Sequence, residues 1–535
     1  MERDLTVGPD LAASGLLGGL PAALLAGRNR ELLAPLRFLP AGERPGGAPP
    51  PVDRRSLAAA LGEANASYGH PRAAELAARL ADPATRVVVT GQQVGVLGGP
   101  LYSLVKAAAA VRWAEELARA GQPAVAVFWM ATEDHDWAEV AATTVLAPAG
   151  PRSFDLGPDP APLLPVGMRT LGAGMATMHA ELAELFPAER YRAWLAELAA
   201  WYRPDARFGE AFARLFARLF GERAPLLLDA LLPAVKQAQA PHLLRLVERR
   251  HEHAAALAAS EARVVATGHA LQVAPSPGAS PLFLLRGGER RRIEWRGKAG
   301  FGLRGRPGEE PLAVLVETLR ENPGVVGPGV LARPAIQDAI LGTTLQVMGP
   351  GEVAYLAQAA PAYEVSGIVA PWVALRPQAL VLDARQRAQL AELGVDLAEL
   401  LADAARAERA LGERAGASFV QADRAGLEAI LARWRDAALA IDPQLERPWE
   451  KTRDQLLGGL EQFSGRVAAA AARRDEVVSR RFLALRDHCL PGGVLQERSV
   501  SAAHFPGKYG DAFVAALLAQ LDLDPRRLSL IDPGA

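Results

Sequence analysis

Four ionisable residues in a row, Glu133-Asp134-His135-Asp136, directly follow an apolar segment that is typical of a buried strand. Carboxylates in such a place can hold an ammonium group, a metal-bound phosphate or a proton in transit. His135 carries the side chain whose ordinary pKa, about 6.5, lies nearest neutrality, which suits acid or base chemistry. An exposed acidic turn explains the same residues without any chemistry, so both interpretations stay open.

A glycine-containing loop at 91–100 is the second candidate, with glycines at 91, 95, 98 and 99. It opens onto a helical pattern, so its backbone N–H groups and the positive end of the helix could cradle a phosphate or carboxylate. Lys106 lies about one turn inside this helix. The spacing matches neither the dinucleotide fingerprint nor the phosphate-binding loop, and a tight strand-to-helix connection without a ligand is also compatible with it.

A third polar cluster surrounds a predicted strand that runs into the turn Gly349-Pro350-Gly351. Its members are Arg333, Gln337, Glu352 and Tyr355. Because a strand again runs through a glycine-containing turn into a helix, this cluster resembles the loop at 91–100 in its place on the fold. Ordinary α/β loops with a surface ion pair would produce the same pattern.

A fourth cluster lies in the C-terminal segment and contains Arg498, Lys508 and Tyr509. A forked guanidinium, an ammonium and a phenol suit phosphate and adenine recognition. A docking tail with solvated charges explains them equally well. The arginine run at 290–292 is expected on a solvated strand or turn face.

The elements that must position these groups form a β–α–β pattern. Apolar runs at 86–90 and 124–130 flank a helical pattern at 102–120, which predicts a parallel sheet with ligands at the carboxyl ends of its strands. Further strands are predicted at 226–229, 263–267, 282–286, 344–348 and 367–373. The predicted α/β core occupies residues 1–375, with inserted subdomains at about 150–325.

A helical arm is predicted for residues 376–490, where strand formers are few. Apolar side chains there follow heptad spacing, and a shorter stripe precedes them. The two stripes are Leu456, Leu460, Phe463, Val467, Ala470 and Val477, and Leu427, Ile430, Trp434 and Ile441. Asp442-Pro443 separates the stripes, which favours an antiparallel helical coiled coil. Residues 491–535 are predicted to return to the core.

Composition restricts the class of protein. The chain has 535 residues, 50% of them hydrophobic, with 59 basic and 60 acidic residues and a net charge of -1. This balance excludes a mainly disordered chain and argues against nucleic acid as the main partner. Cys489 is the only cysteine, so neither a disulfide framework nor a thiolate zinc site is predicted, and no resident metal is expected. No membrane span or signal peptide is predicted, and a cytoplasmic protein is expected.

The polar motifs together resemble one known family, the cysteine-adding enzymes of bacillithiol biosynthesis (BshC). They occur in the family's order across nearly the whole chain. The motifs are Thr90-Gly91-Gln92-Gln93, Gly99-Pro100-Leu101-Tyr102 with Lys106, Phe128-Trp129, Glu133-Asp134-His135-Asp136, Arg333-Pro334, Gln337-Asp338, Gly349-Pro350-Gly351-Glu352, Tyr355, Gln496-Glu497-Arg498 and Tyr509-Gly510.

The resemblance implies an α/β fold with a Rossmann-like nucleotidyltransferase core, similar to class I aminoacyl-tRNA synthetases, and a coiled-coil arm that forms a homodimer. It implies a ligase that joins L-cysteine to glucosaminyl malate, giving bacillithiol. Because amide formation from a carboxylate and an amine runs uphill in water, we expect ATP, and with it Mg²⁺, to activate the cysteine carboxylate as an adenylate or an acyl phosphate.

The resemblance also implies roles for individual residues. His135, Asp134 and Lys106 are the expected catalytic residues. The expected substrate-binding residues are Gln92, Gln93, Tyr102, Glu133, Asp136, Arg333, Gln337, Glu352 and Tyr355, and the expected nucleotide-binding residues are Gly91, Gly99, Arg376, Arg498, Lys508 and Tyr509. Two other functions stay open: a non-catalytic nucleotide-binding assembly protein, and an ATP-dependent ligase for another amino acid and amine.

Overall fold

The computed structural model describes residues 8–276, 278–416, 418–474 and 476–534. Its strands are β1 (Arg37–Phe38), β2 (Arg86–Gln92), β3 (Ala124–Met130), β4 (Ala142–Ala147), β5 (Gly150–Asp155), β6 (Leu226–Asp229), β7 (Ala279–Arg286), β8 (Glu289–Arg296), β9 (Gly300–Leu303), β10 (Glu310–Pro311), β11 (Val326–Pro328), β12 (Thr343–Met348), β13 (Trp372–Leu375), β14 (Gln378–Val381) and β15 (Leu528–Ile531).

The helices are α1 (Gly19–Leu25), α2 (Arg55–Ser67), α3 (Ala73–Ala81), α4 (Tyr102–Arg119), α5 (Trp137–Val140), α6 (Gly174–Leu185), α7 (Glu189–Trp201), α8 (Phe208–Phe220), α9 (Pro233–Glu248), α10 (Arg250–Ala266), α11 (Leu312–Glu321), α12 (Arg333–Leu341), α13 (Pro350–Ala359), α14 (Pro361–Ser366), α15 (Ala384–Leu393), α16 (Leu397–Ala402), α17 (Ala404–Gly416), α18 (Ser418–Ile441), α19 (Glu446–Arg474), α20 (Glu476–Cys489), α21 (Gln496–Ser499), α22 (His504–Tyr509) and α23 (Ala512–Gln520).

A six-stranded sheet forms the centre of the fold, with the strand order β1-β13-β12-β2-β3-β6 and parallel pairing throughout. β3 is buried along its whole length, as expected for a strand covered by helices on both faces. α4 packs on one face of the sheet, and its four consecutive alanines at 107–110 are all buried because other elements cover the remaining sides of the helix. α2 and α3 cover the opposite face.

The order of the strands determines where a ligand can bind. From β2 the chain proceeds to β3 on one side of the sheet, whereas β12 lies on the other side of β2. At such a switch point the loops after the two strands diverge and leave a crevice at the carboxyl edge of the sheet. The β–α–β prediction is therefore confirmed, and the loops after β2, β3 and β12 meet at this edge.

An inserted antiparallel sheet, with the strand order β10-β9-β8-β7-β11, lies beyond the same edge. Its side chains alternate between two faces. Leu282, Leu284 and Ile293 are buried against α9 and α11 and form an apolar core of their own. The opposite face of β7 and β8 is consequently free to line a site.

Two predicted strands are wrong or shifted. Residues 263–267 form the last turn of α10 rather than a strand, because the Val264-Val265 pair stands in a long segment of good helix formers. The strand predicted at 367–373 is shifted to β13, which runs from Trp372 to Leu375. It begins late because α14 ends only at Ser366 and the chain must turn before the strand starts. The strands predicted at 86–90, 124–130, 226–229, 282–286 and 344–348 are confirmed.

The C-terminal region contains the predicted antiparallel helical coiled coil. α18 and α19 are joined by a short turn that begins at Pro443 and run in opposite directions, as the contact of Arg424 Nη1 with Glu461 Oε1 at 3.1 Å shows. Near the turn, Arg435 Nη2 lies 2.8 Å from Glu446 Oε1. The chain then returns, and β15 pairs in parallel with β14. The likeness of the core to class I aminoacyl-tRNA synthetases stays a prediction.

Candidate active site

A cavity of about 860 Å³ lies at the carboxyl edge of the parallel sheet. Residues that follow β2, β3 and β12 form one wall, and the inserted sheet forms the facing wall. The predicted site residues that line it are Gly91, Gln92, Gln93, Glu133, Asp134, His135, Asp136, Arg333, Glu352 and Tyr355. Residues far apart in sequence are thus brought together because the three strands end at one edge.

The loop after β2 is held by close packing of its glycines. A Cβ on Gly91 would lie 2.7 Å from the carbonyl oxygen of Trp129, and one on Gly95 would lie 2.8 Å from the Cα of Gly99. Residues 94–99 are buried, and Gly99 accepts a hydrogen bond from Ala502 N at 2.8 Å. Gly91 lines the cavity, whereas Gly99 lies under the C-terminal segment and does not line it.

Lys106 joins the loop at 91–100 to the third polar cluster. From the first turns of α4, its buried ammonium donates to Gln92 Oε1 at 3.1 Å and forms an ion pair with Glu352. Burial lowers the pKa of Lys106, although Glu352 opposes this. Burial would raise the pKa of Glu352, but the charges of Lys106 and Arg333 hold it below its ordinary value. Glu352 also accepts from Gly349 N at 2.7 Å, which fixes its position at the start of α13.

Arg333 is held rigidly beside this pair. Its guanidinium donates to Gln337 Oε1 at 2.9 Å and to the Tyr355 hydroxyl at 2.8 Å. Behind it, the Tyr363 hydroxyl donates to Asp338 at 2.6 Å, and burial raises the pKa of Asp338 to about 6. Gln337 thus acts through Arg333 and does not line the cavity itself.

The acidic side of the cavity is organised by the two glutamines after β2. Gln93 Nε2 donates to Asp134 Oδ2 at 2.9 Å and to Glu139 Oε2 at 3.0 Å. Gln92 Nε2 donates to the Tyr102 hydroxyl at 3.1 Å. Partial removal from water, with the nearby charges of Asp136 and Asp134, raises the pKa of Glu139. The sequence analysis missed Glu139, although its place three residues after Asp136, whose side chain caps α5, was a usable indication.

His135 lies between the guanidinium of Arg290 and the carboxylate of Asp134. Its Nδ1 is 3.2 Å from Arg290 Nη1 and 3.5 Å from Asp134 Oδ1. Burial and then the charge of Arg290 lower the pKa of His135, and Asp134 opposes them. The ring is consequently neutral near pH 7, and a neutral imidazole has one unprotonated nitrogen that can accept a proton.

Glu133 differs from its three neighbours because it is paired inside the protein. It forms a buried ion pair with Lys236 of α9, one of the five lysines in the chain. Its second oxygen, Oε1, is buried and has no hydrogen-bond partner among the described residues. Gln93 Oε1 is also buried and has no hydrogen-bond partner among the described residues. Both residues line the cavity, and each keeps an acceptor oxygen that is shielded from solvent and that no described residue uses.

Arg290 corrects the prediction that residues 290–292 lie on a solvated face. Its side chain is only 8% exposed, and the guanidinium donates to the carbonyl of Pro328 at 3.2 Å and lies 3.9 Å from the centre of the Phe283 ring. Arg169, also missed, is buried beneath His135 and donates to its carbonyl at 3.3 Å. Neither spacing nor residue type in the sequence indicated these two contacts.

The residues predicted to bind a nucleotide do not form one site. Arg376 is buried in a bidentate ion pair with Glu497, at 2.7 and 3.0 Å. Lys508 and Tyr509 both contact Asp383, and Lys508 lines a second cavity of about 700 Å³ between the core and α20. Arg498 is exposed, and its charge is near enough to Tyr102 to act on the hydroxyl of that residue. Of this group, only Gly91 lines the cavity at the strand ends.

Two further observations concern metals and membranes. Among the described residues, no group of three or more His, Cys, Asp or Glu side chains is arranged to hold a metal ion. No helix in the described part of the chain combines the length and the apolar character that a membrane span requires.

These features define a Rossmann-like α/β protein with a polar cavity at its strand ends and a coiled-coil arm. The sequence matches the family models "Bacillithiol biosynthesis BshC, N-terminal Rossmann-like domain" over residues 44–377 and "Bacillithiol biosynthesis BshC, C-terminal coiled-coil domain" over residues 379–527. The chain therefore belongs to the BshC family of bacillithiol biosynthesis.

Curated relatives agree with this assignment. The chain is 30% identical over 490 residues to a Salinibacter ruber protein, covering 89% of this chain and 88% of that one. It is 30% identical over 493 residues to a Solibacter usitatus protein (89% and 88%) and 32% identical over 442 residues to a Thermus thermophilus protein (79% and 84%). All three carry the name "Putative cysteine ligase BshC".

Proposed function

We propose that this protein is a ligase that forms an amide bond between the carboxylate of L-cysteine and the amine of glucosaminyl malate, giving bacillithiol. Membership of the BshC family supports the substrates. The single structural observation that carries the proposal is the cavity at the strand ends, where the neutral His135 and unpartnered acceptor oxygens lie beside a cluster of carboxylates.

The acidic wall suits the two amines of the reaction. An ammonium group offers three N–H donors and no acceptor, which matches the oxygens of Glu133 and Gln93 that lack partners. The glucosamine amine must lose its proton before it attacks a carboxyl carbon. His135 is the group that we propose takes this proton, and Asp134 stabilises the imidazolium that results.

The proposed source of energy is the Mg²⁺ complex of ATP. When bound, it would activate the carboxylate of cysteine. The residues present fit such a group in part. Lys106 is a buried cation at the switch point between β2 and β12, and Arg333 adds a second cation next to it. The second cavity beside Lys508 is the other place for a nucleotide, because Arg190 and Arg385 also line it.

The test of this proposal is a direct assay of the purified chain. It is incubated with ATP, L-cysteine and glucosaminyl malate, and the thiol product is followed by mass spectrometry. We expect a product with the mass of bacillithiol and formation of ADP or AMP. Serine and alanine replace cysteine in parallel arms. No product from a folded protein overturns the proposal, and faster turnover with another amino acid would redirect it to a different ligase.

We also propose that the coiled coil joins two copies of the chain. Within a single chain, Trp434 and Phe463 are each 58% exposed and Ile441 is 83% exposed. Large apolar side chains at heptad spacing are usually buried by a partner helix, and a second copy presents the same stripe. The cytoplasm is the proposed place of action, because there the thiol of the substrate stays reduced.

Charges on the exposed stripe are expected to separate the dimer. In the double variant Trp434→Glu and Phe463→Glu, burying two carboxylates would cost more than the interface gains. Light scattering after size exclusion should give twice 56.6 kDa for the wild type and 56.6 kDa for the variant. The control is Glu461→Gln, at an exposed position of α19 two residues from Phe463, and this variant should remain dimeric. A monomeric wild type would contradict the proposal.

A further inference from the structure

The β7–β8 hairpin gives the cavity a positively charged wall. Residues opposite each other in an antiparallel pair share one face of the sheet. Leu282 and Leu284 point into the apolar core of the insertion, so Phe283 and its partner Arg292 turn the other way, together with Arg290. All three line the cavity. They face the carboxylates that follow β3.

The two arginines differ in the number of partners that their guanidinium groups already have. Arg290 contacts His135 and the carbonyl of Pro328 and lies 3.6 Å from Asp134 Oδ1. The half-buried guanidinium of Arg292 makes no hydrogen bond or ion pair with any residue that the structure describes, and its carbon lies 5.4 Å from the centre of the Phe283 ring.

The surroundings of Arg292 do not neutralise it. The carboxylate of Glu294, on the same strand, is engaged by Arg296 at 2.8 Å and by Arg304 at 3.1 Å. Burial and the charges of Arg304 and Arg290 lower the pKa of Arg292, as expected for a cation without a matched acid. A guanidinium in this state is an open binding site for a carboxylate, which it can hold through two parallel N–H donors.

We propose that Arg292, with Arg290 beside it, binds the malyl carboxylates of the acceptor and so determines that the enzyme selects glucosaminyl malate over other glucosamine derivatives. This inference rests on the proposed function. In the acceptor, the amine is on the sugar carbon next to the one that carries the malyl group. A carboxylate site must therefore lie beside the group that receives the amine's proton.

The arrangement of the hairpin meets this requirement. Arg290 touches His135 on one side and stands two residues from Arg292 on the same face of the strand, about 7 Å along the chain. The opposite wall, with Asp134, Asp136 and Glu139, would repel the malyl dianion. The acceptor is thus oriented by its own charge, with its amine toward the acids and its carboxylates toward the hairpin.

The experiment measures binding as well as turnover. Wild type, Arg292→Gln and Arg292→Lys are titrated in a calorimeter with glucosaminyl malate, methyl glucosaminide and ATP. We expect Arg292→Gln to raise the Kd for glucosaminyl malate about tenfold or more and to leave the Kd values for methyl glucosaminide and ATP unchanged. Arg292→Lys should restore part of the affinity. In turnover, the KM for the acceptor should rise and that for cysteine should not.

The matched control is Arg286→Gln, an exposed arginine on the same hairpin that pairs with Glu310, which should bind all three ligands as the wild type does. Equal Kd values for glucosaminyl malate in wild type and Arg292→Gln overturn the inference, as does a wild type that does not bind this ligand. An equal loss for ATP would make the site a phosphate site and also overturn it. Absence of product from the wild type contradicts the proposed function alone, since the binding comparison would still decide the role of Arg292.

Discussion

Replacing His135 with glutamine is expected to lower kcat about 100- to 10,000-fold, the range that a positioned acid or base contributes. Glutamine keeps a polar side chain of similar reach next to Asp134 and Arg290 but cannot accept a proton. The ring is partly exposed at the cavity wall, so the fold and the oligomeric state should not change. The assay is single-turnover formation of the thiol product, with thermal melting to compare stability. A variant with unchanged kcat would contradict the role of His135.

The same role predicts a shift of the pH profile. Only the unprotonated imidazole can accept a proton, so kcat/KM should fall as the pH drops through the pKa of His135. Burial lowers this pKa most, and the charges of Arg290 and Arg169 lower it further. In Arg290→Gln the pKa should rise, and the acid limb should therefore move to higher pH. Arg296→Gln, far from the ring, should keep the wild-type profile. If the acid limb of the pH profile does not move in Arg290→Gln, a group other than His135 is responsible for that limb.

The largest expected loss of stability follows from Glu497→Ala. Glu497 is fully buried, and its carboxylate binds Arg376 through two hydrogen bonds and accepts a third from Ala379 N at 2.9 Å. Removing it leaves the Arg376 guanidinium, 3% exposed, without a counter-charge. Breaking a buried pair in this way lowers the free energy of unfolding by about 3–5 kcal/mol. The denaturation midpoint in urea should fall accordingly.

An exposed ion pair provides the matched control for this measurement. Glu115 and Arg223 also form a bidentate pair, at 2.7 and 2.8 Å, but both side chains are more than a third exposed. Glu115→Ala should change the free energy of unfolding by about 1 kcal/mol or less. If the two variants lose the same stability, the pair of Glu497 with Arg376 does not hold the C-terminal segment on the core.

The parts of the fold that the sequence predicted correctly are those with local patterns. β3 reads as one apolar run, and it is buried on both faces. Asp442-Pro443 lies between α18 and α19 because proline disfavours a helical residue before it. The inserted sheet was harder to predict, since its strands alternate only weakly and contain arginines on the cavity face. In α10, helix-forming neighbours outweighed the two valines.

The candidate site was predicted where its residues follow strands. Glu352 and Lys106, 246 residues apart, meet because β2 and β12 are neighbours in the sheet. Arg290 contacts His135 from a separate sheet, and no short-range pattern in the sequence indicates such a contact. Arg376 was predicted to bind a nucleotide, yet Glu497 already pairs with it. A sequence shows which charges exist but not which of them are already paired.

The C-terminal segment also has a consequence for biosynthesis. Leu101 N at the start of α4 donates to Val500 O at 2.7 Å, and Ser501 Oγ donates to the carbonyl of Leu97 at 3.0 Å. These contacts join positions about 400 residues apart in the chain. On the ribosome, the loop after β2 emerges long before the segment that covers it, because domains form in the order of translation. A nascent chain can fold much of its parallel sheet early, but the active-site loop gains its final support only after the coiled-coil arm has been synthesised.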